Sequence, residues 1–184
     1  MEKVKTAEDL IKIAGEAGAN AALLYIQNEK KKAQIKRQDM RLYNTKLLLR
    51  NYRMLNAYVL NATYENSDDD ESAVDILDMM CEKSWKDDVC IESIKSSVAR
   101  TFIIMKHING MLEIYEVLCQ QSKKPEDLRR WRVMNTMYID EDNATAEEIA
   151  QNEGIDTRTV YKDLSYSTEK MTALLFGIDG LKRE

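Results

Sequence analysis

The sequence predicts an all-α fold, and three observations support this prediction. Its 184 residues include a single proline, Pro125, and only six glycines, so few positions interrupt a helix. The chain is 44% hydrophobic and 32% charged, a composition typical of a folded, helix-rich protein. Apolar residues recur at intervals of three and four along the longer segments, which is the period of a helix.

Four helices are predicted before residue 121. The first follows Thr6, an N-cap residue with an acid three positions later, and the third follows the similar cap Ser72. In the second helix, apolar residues recur at intervals of four and three from Leu48 to Ala62. Gly110 is expected to bend the fourth helix. The predicted spans are about 7–35, 41–62, 73–84 and 88–121.

A domain boundary is predicted within the polar segment QQSKKPED, residues 120–127. The residue before a proline disfavours the helical region, and Pro125 suits the first turn of a new helix. We therefore expect a helical N-terminal domain over residues 1–121 and a second domain over residues 122–184.

The second domain carries the signals of three short helices in a fixed order. A helix over about 125–138 is followed by Thr145, which can form a capping box with Glu148. Gly154 can supply the positive φ of a sharp turn, and Asp156 can cap a third helix that extends to about Leu175. This order predicts a helix-turn-helix, whose second helix lies in the major groove of DNA.

Helical rotation separates the third helix of this domain into two faces. Val160 and Leu164 point towards the core, whereas polar and cationic side chains point away. Arg158 and Lys162 can pair with guanine or phosphate, and the helix tip at Thr157 favours a phosphate. The residues predicted on this basis to contact DNA are Thr157, Arg158, Tyr161, Lys162 and Ser165. Acids nearby in the sequence, Asp163 among them, are expected to weaken the positive potential. The alternative is an ordinary helical hairpin with a solvated face.

The segments RRWRVMNTMYI, TAEEIAQNEGIDTRTVYKDL and MTALLFGIDGL resemble late-gene transcriptional regulators of Gram-positive phages and prophages. These are the ArpU and RinA type regulators, which are similar to region four of sigma factors. The resemblance covers residues 125–181, and NTKLLLRNYRMLNAY at residues 44–58 also resembles their N-terminal part. It implies transcription activation together with RNA polymerase, and it adds Thr159 to the predicted recognition helix. A small terminase subunit that recognises phage DNA, or a protein that binds polymerase rather than DNA, are the alternatives.

Charge is segregated along the chain, although the formal net charge is -5. Residues 27–56 hold nine cations and two acids, whereas residues 65–92 hold eleven acids and two lysines. The net charges are therefore +7 and -9. Within the first segment Lys46, Arg50 and Arg53 form a second basic face, which can be solvated, can contact phosphate, or can pair with the acidic segment. Charge runs are most often solvated, and of the other two alternatives pairing with the acids is expected over phosphate contact. The sequence also leaves open a homodimer.

The sequence contains no recognisable catalytic or cofactor-binding motif. Phosphate-binding loops, dinucleotide fingerprints and nucleophile elbows are missing, so we expect no enzyme activity and no cofactor. The three cysteines and the lone His107 do not have the spacing of zinc ligands, so no metal site is expected. No apolar run approaches the length of a membrane span, and no secretory signal is recognisable, so a cytoplasmic protein is expected.

Overall fold

The computed structural model describes residues 6–61, 72–82, 97–141 and 143–177. Within these ranges every regular element is an α-helix, which confirms the predicted all-α class. The sigma-like arrangement stays a prediction. The helices of the described ranges are α1 Ala7–Arg50, α2 Tyr52–Asn61, α3 Ala73–Glu82, α4 Val98–Gln121, α5 Pro125–Tyr138, α6 Ala146–Glu153 and α7 Thr157–Phe176.

Helix α1 is longer than the sequence predicted. The expected break between residues 35 and 41 was wrong, because that segment contains no glycine or proline and the helix continues through it. The break lies at Asn51, whose backbone N–H is shared between the carbonyls of Leu47 and Leu48 at 3.2 Å each. The Asn51 side-chain amide also donates to the Leu47 carbonyl at 2.9 Å. Asn51 therefore separates α1 from α2.

The predicted continuous helix over residues 88–121 was also wrong. Ser97 has an extended backbone, with φ −128° and ψ 114°, and its hydroxyl accepts the backbone N–H of Arg100 at 3.2 Å. Ser97 is therefore an N-cap, and α4 begins at Val98 rather than near Asp88. The remainder of that prediction, residues 88–96, lies outside the described residues, as does most of the acidic segment.

The chain divides into two compact units, residues 1–37 and 38–184. In the first unit, every described residue from Thr6 to Arg37 is exposed and belongs to α1 or to its cap. The predicted boundary at residues 121 and 122 falls inside the second unit, because α4 packs against both α5 and α7. Whether the two sides of that boundary act as separate domains stays a prediction.

The second unit contains one hydrophobic core. Helices α2 and α3 pack on α4, and α4, α5 and α6 each pack on α7. Met171 of α7 and Met134 of α5 are fully buried, and the Tyr115 and Trp131 rings meet edge to face at 5.8 Å. Tyr115 also donates a hydrogen bond to Ser167 at 3.1 Å, so its hydroxyl is satisfied inside the core. Helix α7 is therefore held on its inner side along most of its length.

Candidate nucleic-acid interface

Helices α6 and α7 are joined by the tight turn that the sequence predicted. Thr145 and Glu148 form the full capping box, in which the Thr145 hydroxyl accepts the Glu148 N–H and the Glu148 carboxylate accepts the Thr145 N–H. Gly154 ends α6 with φ +64° and ψ 37°, in the left-handed region. The Ile155 N–H donates a hydrogen bond to the Ala150 carbonyl at 2.9 Å. These bonds fix the angle at which α7 leaves the turn.

The inner side of this two-helix unit is apolar, as predicted. Ala150 is 6% exposed, and Val160 is fully buried. Ile149 and Leu164 are buried in the same core cluster, and Ile155 is half-buried against it. Because this side is packed, the opposite side of α7 is the one available to a partner.

The exposed side of α7 presents the predicted DNA-contacting groups. Arg158, Tyr161, Lys162 and Ser165 are exposed, and Tyr161 retains 59% of its surface, which is high for an aromatic residue. Thr157 and Thr159 are half-buried. Among the described residues no ion pair involves Arg158 or Lys162. Two cations, a phenol and a hydroxyl therefore lie on one helical face.

Most acids near this face have structural partners. Glu148 is held in the capping box, and its hydrogen bonds with Thr145 lower the pKa of its carboxyl group. Glu153 pairs with Arg132 through two hydrogen bonds of 2.6 and 2.7 Å, which lower the pKa of Glu153. Asp156 caps α7. Glu147 and Glu169 are exposed, and Glu169 lies on the same side of α7 as Arg158 and Lys162. The structural contacts therefore engage most, but not all, of the acids near this face.

Asp163 does not lie on the exposed face, so the expectation that it weakens the positive potential there was wrong. It is 3% exposed, and its carboxylate accepts hydrogen bonds from Arg129 at 2.8 Å and Arg130 at 3.4 Å. The hydrogen bond with Asp163 raises the pKa of Arg129. A buried carboxylate with two guanidinium partners is neutralised where it lies. It therefore ties α7 to α5 rather than adding negative charge to the exposed face of α7.

The tip of α7 differs from the expectation that it holds a phosphate. The Asp156 carboxylate accepts the backbone N–H of Arg158 at 2.8 Å, so an acid already occupies this end of the helix. A phosphate placed beside Thr157 meets that negative charge at close range. The side-chain face carried by Arg158 and Lys162 is a better location for contacts with an anion.

Arg53 does not belong to a free basic face. Its guanidinium donates to the Asp140 and Thr136 carbonyls, to the Met137 carbonyl and to the Asn143 side chain. These groups form the end of α5 and the loop that follows it, where a cation is favoured by the helix dipole. All three guanidinium nitrogens are used, so Arg53 is a structural clamp on the α5–α6 connection.

Lys46 and Arg50 remain exposed and share a cleft with α7. This cleft has a volume of about 540 Å³, and its wall includes Tyr161 and Ser165 of the predicted recognition helix. Burial raises the pKa of Tyr138, whereas the neighbouring Arg50 guanidinium opposes that rise. Lys46 and Arg50 are therefore placed beside the exposed face of α7, although they are more than a hundred residues away in sequence.

No protein-family model, curated protein or solved structure matches this chain. None of the helices in residues 6–61, 72–82, 97–141 and 143–177 is long and apolar enough to cross a bilayer. In the same residues, no group of three or more His, Cys, Asp or Glu side chains could hold a metal ion. The candidate interface therefore rests on its own geometry.

Proposed function

We propose that this chain binds double-stranded DNA with sequence specificity and regulates transcription. The observation that carries the proposal is the exposed face of α7, which follows a capped helix and a left-handed Gly154 turn. A helix that is packed on one side, and offers exposed cations on the other, suits insertion into the major groove. The pairing of Glu153 and Asp163 with arginines supports this interpretation in a chain of net charge -5.

The exposed side chains have distinct roles in this proposal. Arg158 lies in the first turn of α7, where a recognition helix reaches base edges, and its planar guanidinium can bind guanine in a bidentate manner. Lys162, one turn later, supplies a contact to phosphate or guanine. Tyr161 contacts phosphate or a thymine methyl group, and Ser165 adds a hydrogen bond. Thr157 and Thr159, being half-buried, assist at the edge of the contact.

Lys46 and Arg50 add phosphate contacts to those made by α7. They line the cleft that Tyr161 and Ser165 also line, so a DNA backbone that follows α7 passes near both cations. Phosphate contacts fix the orientation of a protein on the duplex, whereas base contacts determine the sequence that is read. Of the predicted second basic face, only Lys46 and Arg50 belong to the proposed DNA-binding surface, which they share with α7.

The proposed biological role is activation of phage or prophage late genes in concert with RNA polymerase. It is supported by the resemblance of residues 125–181 to the ArpU and RinA type regulators. A small terminase subunit is the alternative that also binds phage DNA. The two differ in their partners, because a sigma-like regulator retains RNA polymerase on an affinity column and a terminase subunit retains the packaging ATPase.

A second candidate function is a polymerase-binding protein that does not itself read DNA. It is favoured by Ile114, Val117 and Leu118, which form an apolar row on one side of α4 and retain 44%, 48% and 53% of their surface. Exposed apolar rows on a helix are typical of protein-binding surfaces. In that case α7 contributes nothing to affinity for naked DNA.

Selection of binding sites from random duplex DNA tests the proposed function. The full chain should enrich a defined motif, and Arg158→Ala and Lys162→Ala should each weaken binding to it. Truncating an arginine that pairs with a base costs about 1–3 kcal/mol. Lys123→Ala is the matched control, since Lys123 is an exposed cation in the α4–α5 connection. No enriched motif, or equal effects of all three substitutions, would contradict the proposal.

A further inference from the structure

The N-terminal part of α1 exposes an unusual amount of apolar surface. Every residue from Thr6 to Arg37 is exposed in the described structure, and eight of them are large apolar side chains that keep 45% to 73% of their surface. Leu24 and Tyr25, for example, are 60% and 68% exposed. A helix of this kind gains most of its stability from packing of an apolar face rather than from intrinsic propensity. This segment therefore needs a partner surface.

Part of the apolar surface of this segment follows the heptad period of a coiled coil. A seam begins at Leu10 and passes through three alanines to Leu24, with intervals that alternate between four and three. The same intervals continue through Asn28 and Lys31, which are polar, to Ile35. Ile11 and Tyr25 flank the seam on one side, which widens the apolar stripe. Alanines in such a seam allow two helices to approach closely.

We propose that residues 7–37 pair with the same residues of a second copy of this chain as an antiparallel two-stranded coiled coil. A twofold axis between residues 21 and 24 makes the seam self-complementary, as an isologous interface requires. Around that axis Leu24 lies opposite Ala21 of the second copy, and Leu10 lies opposite Ile35 of the second copy. At the centre of the pair a large side chain therefore packs against a small one, and at each end two large side chains pack against each other.

The polar seam positions favour the antiparallel direction. In this register Asn28 lies opposite Ala17 of the second copy, and Lys31 lies opposite Ala14. The small alanine leaves room for the lysine stem, whose ammonium can extend to water. A parallel pair instead places Lys31 against Lys31, and two ammonium groups in one layer repel each other.

The charge distribution is complementary only in the antiparallel direction. The first half of the segment, residues 7–21, holds three acids and Lys12, a net charge of -2. The second half, residues 22–37, holds five cations and Glu29, a net charge of +4. An antiparallel pair sets each acidic half against a basic half, whereas a parallel pair sets +4 against +4. A second copy is therefore a partner whose charge fits this surface.

Sedimentation equilibrium of the full chain tests the pairing. The unaltered chain should be a dimer at micromolar concentration, and Leu24→Glu should raise the dimer Kd by at least about 100-fold, because the substitution occurs twice at the centre of the interface. Ile26→Glu is the matched control, since Ile26 is 48% exposed on the same helix but lies away from the seam. It should leave the Kd within about threefold.

Near-ultraviolet circular dichroism checks that the core of residues 38–184 is intact in both variants. A monomer at 100 µM for the unaltered chain overturns the proposal, as does an equal effect of the two substitutions or an assembly larger than a dimer. This inference does not depend on DNA binding, because sedimentation equilibrium measures only the mass of the assembly.

Disulfide cross-linking tests the direction. Ala17→Cys and Asn28→Cys chains should cross-link to each other when mixed and oxidised, and each should cross-link poorly alone. The unaltered chain, with its three cysteines, measures the background. Efficient cross-linking of Ala17→Cys to itself would place the helices parallel and overturn the antiparallel arrangement.

Discussion

Arg53→Ala should destabilise the protein substantially without changing how its DNA affinity depends on salt. The guanidinium of Arg53 donates to three main-chain carbonyls and one side chain at the end of α5. Removing a charged hydrogen-bond donor typically costs about 1.5–3 kcal/mol per bond. The energies of these hydrogen bonds do not simply add, and the carbonyls that lose them can partly regain hydrogen bonds to water. We therefore expect the free energy of unfolding to fall by about 2–4 kcal/mol in total.

Urea denaturation followed by near-ultraviolet circular dichroism measures this loss. Lys46→Ala is the control, because Lys46 lies two turns earlier in the chain, is exposed and has no ion pair in the described structure. It should change the free energy of unfolding by less than about 0.5 kcal/mol. If Arg53→Ala is as stable as Lys46→Ala and binds DNA with a shallower salt slope, then Arg53 contacts phosphate and the assignment as a clamp is wrong.

The remaining predictions concern the turn, the basic pair and one surface ion pair. Gly154→Val should lower the free energy of unfolding by about 1–3 kcal/mol. Gly154→Asn should lower it by less, because asparagine tolerates a positive φ. Equal melting temperatures of the two variants would show that backbone strain at this position does not determine stability. A Cβ at Gly154 meets no atom within 4 Å, so the expected cost comes from the positive φ rather than from a clash at Cβ. Together Lys46→Ala and Arg50→Ala should reduce the slope of log K against log salt by up to about 1.8, and an unchanged slope would exclude them from the DNA surface. Arg132 lowers the pKa of Glu153, so this pair stabilises the fold at neutral pH and loses its effect as acid protonates Glu153, roughly below pH 4. Glu153→Gln should therefore show a smaller loss of stability on acidification than the unaltered chain, and identical acid profiles would argue against the pair.

The local features of the α6–α7 unit could be predicted because their signals lie within a few residues. Thr145 and Glu148 are three positions apart, and Gly154 follows the helix that it ends. With Val160 taken as the inward direction, the helical period alone places Leu164 on the same side, and both are buried. Such caps and periods require no knowledge of distant contacts, and all of them appear in the structure.

Features that depend on distant contacts could not be predicted. Arg53 and its acceptors are more than eighty residues apart, so its sequence neighbours Lys46 and Arg50 suggested one basic stripe. Asp163 lies three positions after Val160, towards the inner side of the helix, but only its two arginine partners from α5 show how a carboxylate is accommodated there. A helical period fixes which residues share a face, but it does not fix what lies against that face.

The most direct test of the central claim is the base preference of Arg158→Ala. Affinities are measured for the selected DNA motif and for every single-base variant of it, with the full chain and with Arg158→Ala at the same salt concentration. If α7 lies in the major groove, the substitution should remove about 1–3 kcal/mol of discrimination at one base pair and leave the other positions unchanged. A uniform loss across all sequences, or an unaltered preference at every position, would contradict the assignment of α7 as the helix that reads DNA.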